Sequence, residues 1–247
     1  MKRTWTKALT LAVGLILSSG LAQLSENTSS HKTALKSFLS VQLKTAAVRS
    51  AQQNLDRVIQ RNNASSSAQT AARSQAQAAP QTTFRPGSQR LLLRQFVQSL
   101  TNKPDEVQEL TTAFQEAFDA FEAEARRLGR PNNVAMAFTY LVGVCYMVHY
   151  GEEPSETALI NLQASADAAF GSSADFKALS NQDRQKLYEA FVLTATLPLL
   201  GYTVAVEQND QELLQTYREI AGVALETALG VRPDRLKFTE TGLELRR

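Results

Sequence analysis

"NVAMAFTYLVGVCYMVHY", residues 133–150, contains no Asp, Glu, Lys or Arg. Its continuous apolar part, Val134 to Val148, is fifteen residues long and broken only by Thr139. A helix that crosses a bilayer needs ~20 residues. This one has a single Leu and no Ile, and Tyr140, Gly143, Cys145, Tyr146 and His149 dilute it. A helix that is apolar on every side is also what the centre of a helical bundle looks like. Amphipathic segments before and after it supply the neighbours. The stretch therefore predicts the buried core helix of an all-α domain. The basic "ARRLGR" before it and the "GEE" after it are what a membrane span would show.

Working outward, Leu91, Leu92, Phe96, Val97 and Leu100 predict a short amphipathic helix. Pro104 suits the first turn of the next. There Val107, Leu110, Phe114, Phe118, Phe121, Ala125 and Leu128 recur at three- and four-residue steps. The opposite face is acidic, with Glu106, Glu109, Glu116, Asp119, Glu122 and Glu124. Arg126 and Arg127 sit where cations suit a helix C-terminus, and Gly129 and Pro131 end the element. Asn132 or Asn133 can cap the uncharged helix and Gly151 can close it. A further helix is expected over Pro154 to Phe170. Ser180 with Asp183 has the capping-box spacing and starts a longer one, with Pro198 expected to kink it. Leu213, Leu214, Tyr217, Ile220, Ala221, Ala224, Leu225 and Leu229 mark the last long helix, closed by Gly230. The tail "VRPDRLKFTETGLELRR" predicts a turn at Pro233 and a short strand-like segment. The fold class is all-α: a compact bundle of about five helices over residues 84–247.

The chain opens "MKRTWTKALTLAVGLILSSGLAQ". Lys2, Arg3 and Lys7 precede an apolar run, Ala8 to Leu17, and Gly20-Leu21-Ala22 offers small residues for cleavage. This is the three-part layout of a secretory signal peptide, expected to end at residue 22, with an uncleaved anchor as its alternative. Residues 23–61 read as a basic, partly helical arm, with one helix from His31 to Arg61 whose apolar stripe is too thin to be stable alone. Residues 62–83 are a low-complexity linker: from Asn62 to Pro80 there is no bulky apolar side chain to offset the entropy of ordering. Beyond residue 22 the chain has 23 basic and 24 acidic residues. They are unevenly placed: net +5 over Gln23 to Thr83 and net −6 over Phe84 to Arg247. The plain reading of this asymmetry is an arm that is merely solvated or lies on its own acidic domain; the sharper one is docking either on the acidic helix around Glu109, Glu116 and Glu124 or on an anionic partner of the cell envelope. A net-negative folded part argues against nucleic acid.

Cys145 is the only cysteine, so no intramolecular disulfide exists and stability must come from the core. Cys145 and His149 are four apart on one helix face, a conceivable thiolate–imidazole pair or half a metal site. The only other histidine, His31, lies in the arm, so a metal would have to recruit Glu152 or Glu153. A c-type haem would need a second Cys. The simpler reading is a buried Cys acting as a hydrophobe and a His favoured by a helix C-terminus. Glu116 with Asp119, and Glu152 with Glu153 and Glu156, could pair as acid and base, but helix-surface charge is ordinarily solvated. No nucleotide-binding, nucleophile-elbow or zinc-protease motif is present. Arg85, Arg90 and Arg94 form a basic edge suited to bridging onto the acidic helix. No catalytic, cofactor-binding or metal residue is assigned.

"FRPGSQR" (84–90), "FEAEARRLGRPNNVAMAF" (121–138) and "VRPDRLKFTETGLEL" (231–245) together resemble an uncharacterised family of exported bacterial proteins, one of the domain-of-unknown-function groups. The resemblance covers Phe84 to Leu245. It implies an exported, mainly helical bacterial domain and no site residues. The sequence thus points to an exported, periplasmic or extracellular, non-catalytic interaction or scaffold protein. An enzyme or small-ligand carrier with a pocket beside Cys145 and His149 is the rival.

Overall fold

The computed structural model describes residues 24–25, 28–64, 81–240 and 242–245. The expected signal peptide, and the linker from residue 65 to residue 80, lie outside the described residues. The elements are α1 (Thr28–Gln42), α2 (Ala46–Ala64), α3 (Leu93–Leu100), α4 (Pro104–Arg127), α5 (Val134–Tyr150), α6 (Glu156–Ser172), the single turn α7 (Ala174–Lys177), α8 (Asn181–Gln208) and α9 (Gln211–Leu229). A 3-10 turn (Pro233–Arg235) then leads into an antiparallel hairpin of β1 (Leu236–Thr239) and β2 (Gly242–Leu245), paired Leu236 to Leu245 and Thr239 to Gly242. The fold is all-α, as the periodicity predicts.

The uncharged stretch is α5, and it is the centre. Fourteen of its seventeen residues are buried, packed between α6, α8 and α9. The Asn133 side chain accepts from the Met136 N–H (2.7 Å), and Gly151 closes the helix at φ 71°. Among the described residues α8 alone is long and apolar enough to cross a membrane, but 89% of its apolar window lies inside the protein. It runs through Pro198 to Gln208 as one helix, although the missing N–H of Pro198 leaves the Thr194 carbonyl without its usual donor.

The arm differs from its sequence reading. It is two helices, broken at residues 43–45 without Gly or Pro. The Thr45 hydroxyl accepts from the Val48 N–H (3.3 Å), an N-cap that restarts the helix as α2. Most of the stripe that looks thin in sequence is used: Leu35, Phe38, Leu39, Leu43, Leu55 and Ile59 join the same core as α5, together with Val48 and Ala51, while Ala46 is exposed and Val58 half-buried. Phe38 meets Phe96 of α3 edge to face (centroids 4.6 Å apart). α1 rests on α9, α8 and α3, and α2 rests on α6, α7 and β2. The expected seat on the outer face of α4 is not taken up. Glu109 and Glu116 are exposed, because apolar burial rather than charge sets where the arm lies. The linker also ends earlier than predicted. Thr82 is fully buried, and its carbonyl accepts from the Val134 N–H (2.9 Å).

Close helix approach is bought at glycine. A Cβ on Gly201 of α8 would lie 2.0 Å from the Tyr217 ring of α9, and one on Gly143 of α5 would lie 2.9 Å from a terminal methyl of Leu159. An Ala in a helix ordinarily gains roughly 1 kcal/mol over Gly. Gly201→Ala is nevertheless expected to destabilise by several times that amount, because a fully buried aromatic ring must move. Gly143→Ala is expected to be far milder, since only a side-chain tip must give. Urea unfolding of the two variants checks this, and equal midpoints would refute it.

Candidate functional site

The residues that sequence singles out for chemistry lie apart, some engaged within the fold and some exposed. Cys145 is fully buried, and desolvation pushes its thiol well above the ordinary range, which suppresses the thiolate a nucleophile needs. His149 Nδ1 lies 2.8 Å from the Arg218 carbonyl of α9, and its ring lies against Gly222, where a Cβ would come within 2.9 Å. His149 is half-buried, with α9 against one side of its ring. Among the described residues no group of three His, Cys, Asp or Glu side chains is placed to hold a metal. Glu152 and Glu153 are exposed on the loop after α5. Asp119 and Glu122 are taken by Arg90, at 3.1 and 2.7 Å, while the guanidinium lies 3.7 Å from the centre of the Phe118 ring. Arg90 thus makes the predicted bridge to the acidic helix. Arg85 and Arg94 stay exposed.

Sequence reading missed a polar ladder on α8. Asn181, Gln185 and Glu189 step by four along one face and hold the chain from Arg85 to Leu92 by its backbone. Asn181 accepts from the Arg85 N–H (3.0 Å) and Gln185 from the Gly87 N–H (2.7 Å), while the Gln185 amide donates to the Gln89 carbonyl (2.8 Å). Glu189, 1% exposed, accepts from the Leu91 and Leu92 N–H groups (2.7 and 2.8 Å) and from the Gln185 amide (2.8 Å). Leu92, at the N-cap of α3, makes no side-chain cap, so Glu189 supplies the cap from another helix. The spacing was visible in "NQDRQKLYE", but nothing local says which backbone it grips.

A second knot fixes the entry of the chain into the bundle. The Thr82 hydroxyl donates to Asp167 (2.7 Å) and accepts from the Asn133 amide (2.9 Å), and Arg130 pairs with the same Asp167. Arg184 donates to the carbonyls of Thr83 (3.2 Å) and Lys177 (3.2 Å). A third pairs arm and bundle. His31, 2% exposed, has Nδ1 3.2 Å from the Tyr217 hydroxyl, which donates to the Leu24 carbonyl (2.8 Å). These groups hold chain segments together. A crevice lined by Val48, Ala51, Leu55, Phe138 and Phe170 has no room for a water molecule.

What the described residues do offer outward is charge. Lys36, Lys44, Arg49 and Arg57 are exposed on the arm and form no ion pair among the described residues, while Arg49 reaches the Lys44 carbonyl (3.4 Å). The candidate functional residues are these exposed cations of the arm.

Two outcomes test these assignments. Glu189→Ala strands two buried N–H groups and is expected to cost about 2–4 kcal/mol in denaturant unfolding, with Glu189→Gln milder because one acceptor survives. Cys145 in the native protein is expected to react with a thiol reagent far more slowly than in the denatured chain; equal rates would refute its burial.

Comparison with curated proteins and with solved structures finds no match to this chain. A family model does match, over residues 2–246, nearly the whole sequence. The chain belongs to DUF6683, a family of unknown function.

Proposed function

We propose that this is an exported, non-catalytic interaction protein of the periplasm or cell envelope, and that the exposed cations of its arm dock on an anionic partner there. Export rests on the signal-peptide layout of residues 1–22. The observation that carries the docking is the placement of Lys36, Lys44, Arg49 and Arg57. The arm spends its apolar face on the core and leaves these cations in solvent. Cations held near an anionic lipid surface contribute about 1 kcal/mol each, so four supply about 4 kcal/mol, which salt screens.

The test is cosedimentation with vesicles rich in phosphatidylglycerol, against neutral vesicles, at low and high salt. Binding to the anionic vesicles alone, weakened by salt and lost in a variant with all four cations changed to Glu, is the expected result. Binding that ignores salt, or that survives in the variant, refutes the reading. Mass spectrometry of the protein recovered from its host tests export separately, through cleavage after Ala22.

A further inference from the structure

We propose that His31 is an acid-sensitive latch: protonation of its buried ring releases Leu24 and the first turns of α1 from α9 and uncovers Tyr217. The hydrogen bonds fix the chemistry. The single proton of the Tyr217 hydroxyl goes to the Leu24 carbonyl (2.8 Å), so toward His31 that oxygen can only accept (3.2 Å). Nδ1 therefore carries the proton of the neutral ring, and Nε2 is the basic atom left to take one from acid.

The surroundings oppose that second proton. His31 is 2% exposed and Leu24 and Tyr217 are fully buried. α9 presents the Tyr217 phenol, itself held neutral by burial, and α8 presents Gly201 beneath the phenol ring. α3 has no titratable side chain apart from exposed Arg94. α4 contributes Glu106, the charged group that favours the protonated ring. Its carboxylate is already engaged by the Thr101 hydroxyl (2.5 Å) and the Lys103 ammonium (2.7 Å). Beside the latch, Lys32 pairs with Glu219 at 2.6 Å, both partly exposed. Desolvation outweighs Glu106, and the ring is lowered from 6.5 to about 4.

Between those two values the released segment binds more protons than the latched one. Latching is therefore fully favourable above pH 6.5 and is lost as pH falls toward about 4. The release stays local. Farther along α1, Leu35, Phe38, Leu39 and Leu43 remain buried, and one protonation does not outweigh four apolar side chains.

Hydrogen exchange on the full chain, corrected for intrinsic rates, tests this. Between about pH 7.5 and about pH 4.5, protection in the first turns of α1 is expected to fall roughly 70-fold, with α5 and α8 unchanged. His31→Gln should abolish that pH dependence. Tyr217→Phe should loosen the same segment at neutral pH. Should His31→Gln fail to fold, NMR titration of the wild-type ring decides: titration near 4 supports the latch, and titration near the ordinary 6.5 overturns it. Equal protection at both pH values, loss spread evenly over the bundle, or an unaltered pH response in His31→Gln also overturns it.

Discussion

Everything else in this fold follows from having to cover α5 on all sides. A helix with no charge over seventeen residues has no face it can leave in water. Helices α6, α8 and α9 surround most of it. The remaining gap is closed by the arm: Val48, Ala51 and Leu55 of α2 meet Phe138 of α5 and Phe170 of α6 across a dry crevice. Residues 28–60 are thus part of the cover, although 16 residues outside the described set separate them from the rest of the bundle. The glycines serve the same end. Gly201 lets the Tyr217 ring lie flat on α8, and Gly222 lets His149 reach the α9 backbone.

Covering an apolar helix with other helices leaves irregular chain to be placed between them, and its backbone polar groups must be satisfied. The segment from Gln81 to Leu92 solves this with side chains. Arg184 collects carbonyls, Asn181, Gln185 and Glu189 collect N–H groups, and Thr82 links Asn133 to Asp167. The carboxylates that anchor this segment are thereby committed to holding chain. Glu189 already accepts three hydrogen bonds, and Asp167 accepts from Thr82 while paired with Arg130.

Sequence was informative wherever structure is local. The apolar period of α4, the Asn133 cap, the Gly151 and Gly230 closures and the Ser180 start all depend on residues within a few positions of one another, and all appear as read. Contacts over long separations were not legible. The stripe Leu35, Phe38, Leu39 was visible, but nothing in it names Phe96 as its partner. The break between α1 and α2 was missed because Thr45 caps without the Gly or Pro that ordinarily marks a stop. His31 looked like an isolated arm residue, yet its partner lies 186 positions away. The C-terminal hairpin lay between these cases, a strand signal too short to show its pairing.

The charge asymmetry is where sequence and structure meet least directly. A net +5 arm and a net −6 remainder suggest electrostatic docking. Yet the pair joining α1 to α9, Lys32 with Glu219, has side chains 33% and 50% exposed, and such pairs contribute about 0–1 kcal/mol. Nine apolar side chains of the arm between Leu35 and Ile59 are at most 7% exposed, and burial of one large aliphatic or aromatic side chain contributes about 1.5–3 kcal/mol. The apolar term exceeds the ionic one severalfold, so salt has little hold on where the arm lies. With the acidic face of α4 not needed to anchor the arm, its cations are not consumed within the fold. The arm's apolar side chains hold it on the core, and Lys36, Lys44, Arg49 and Arg57 are left exposed.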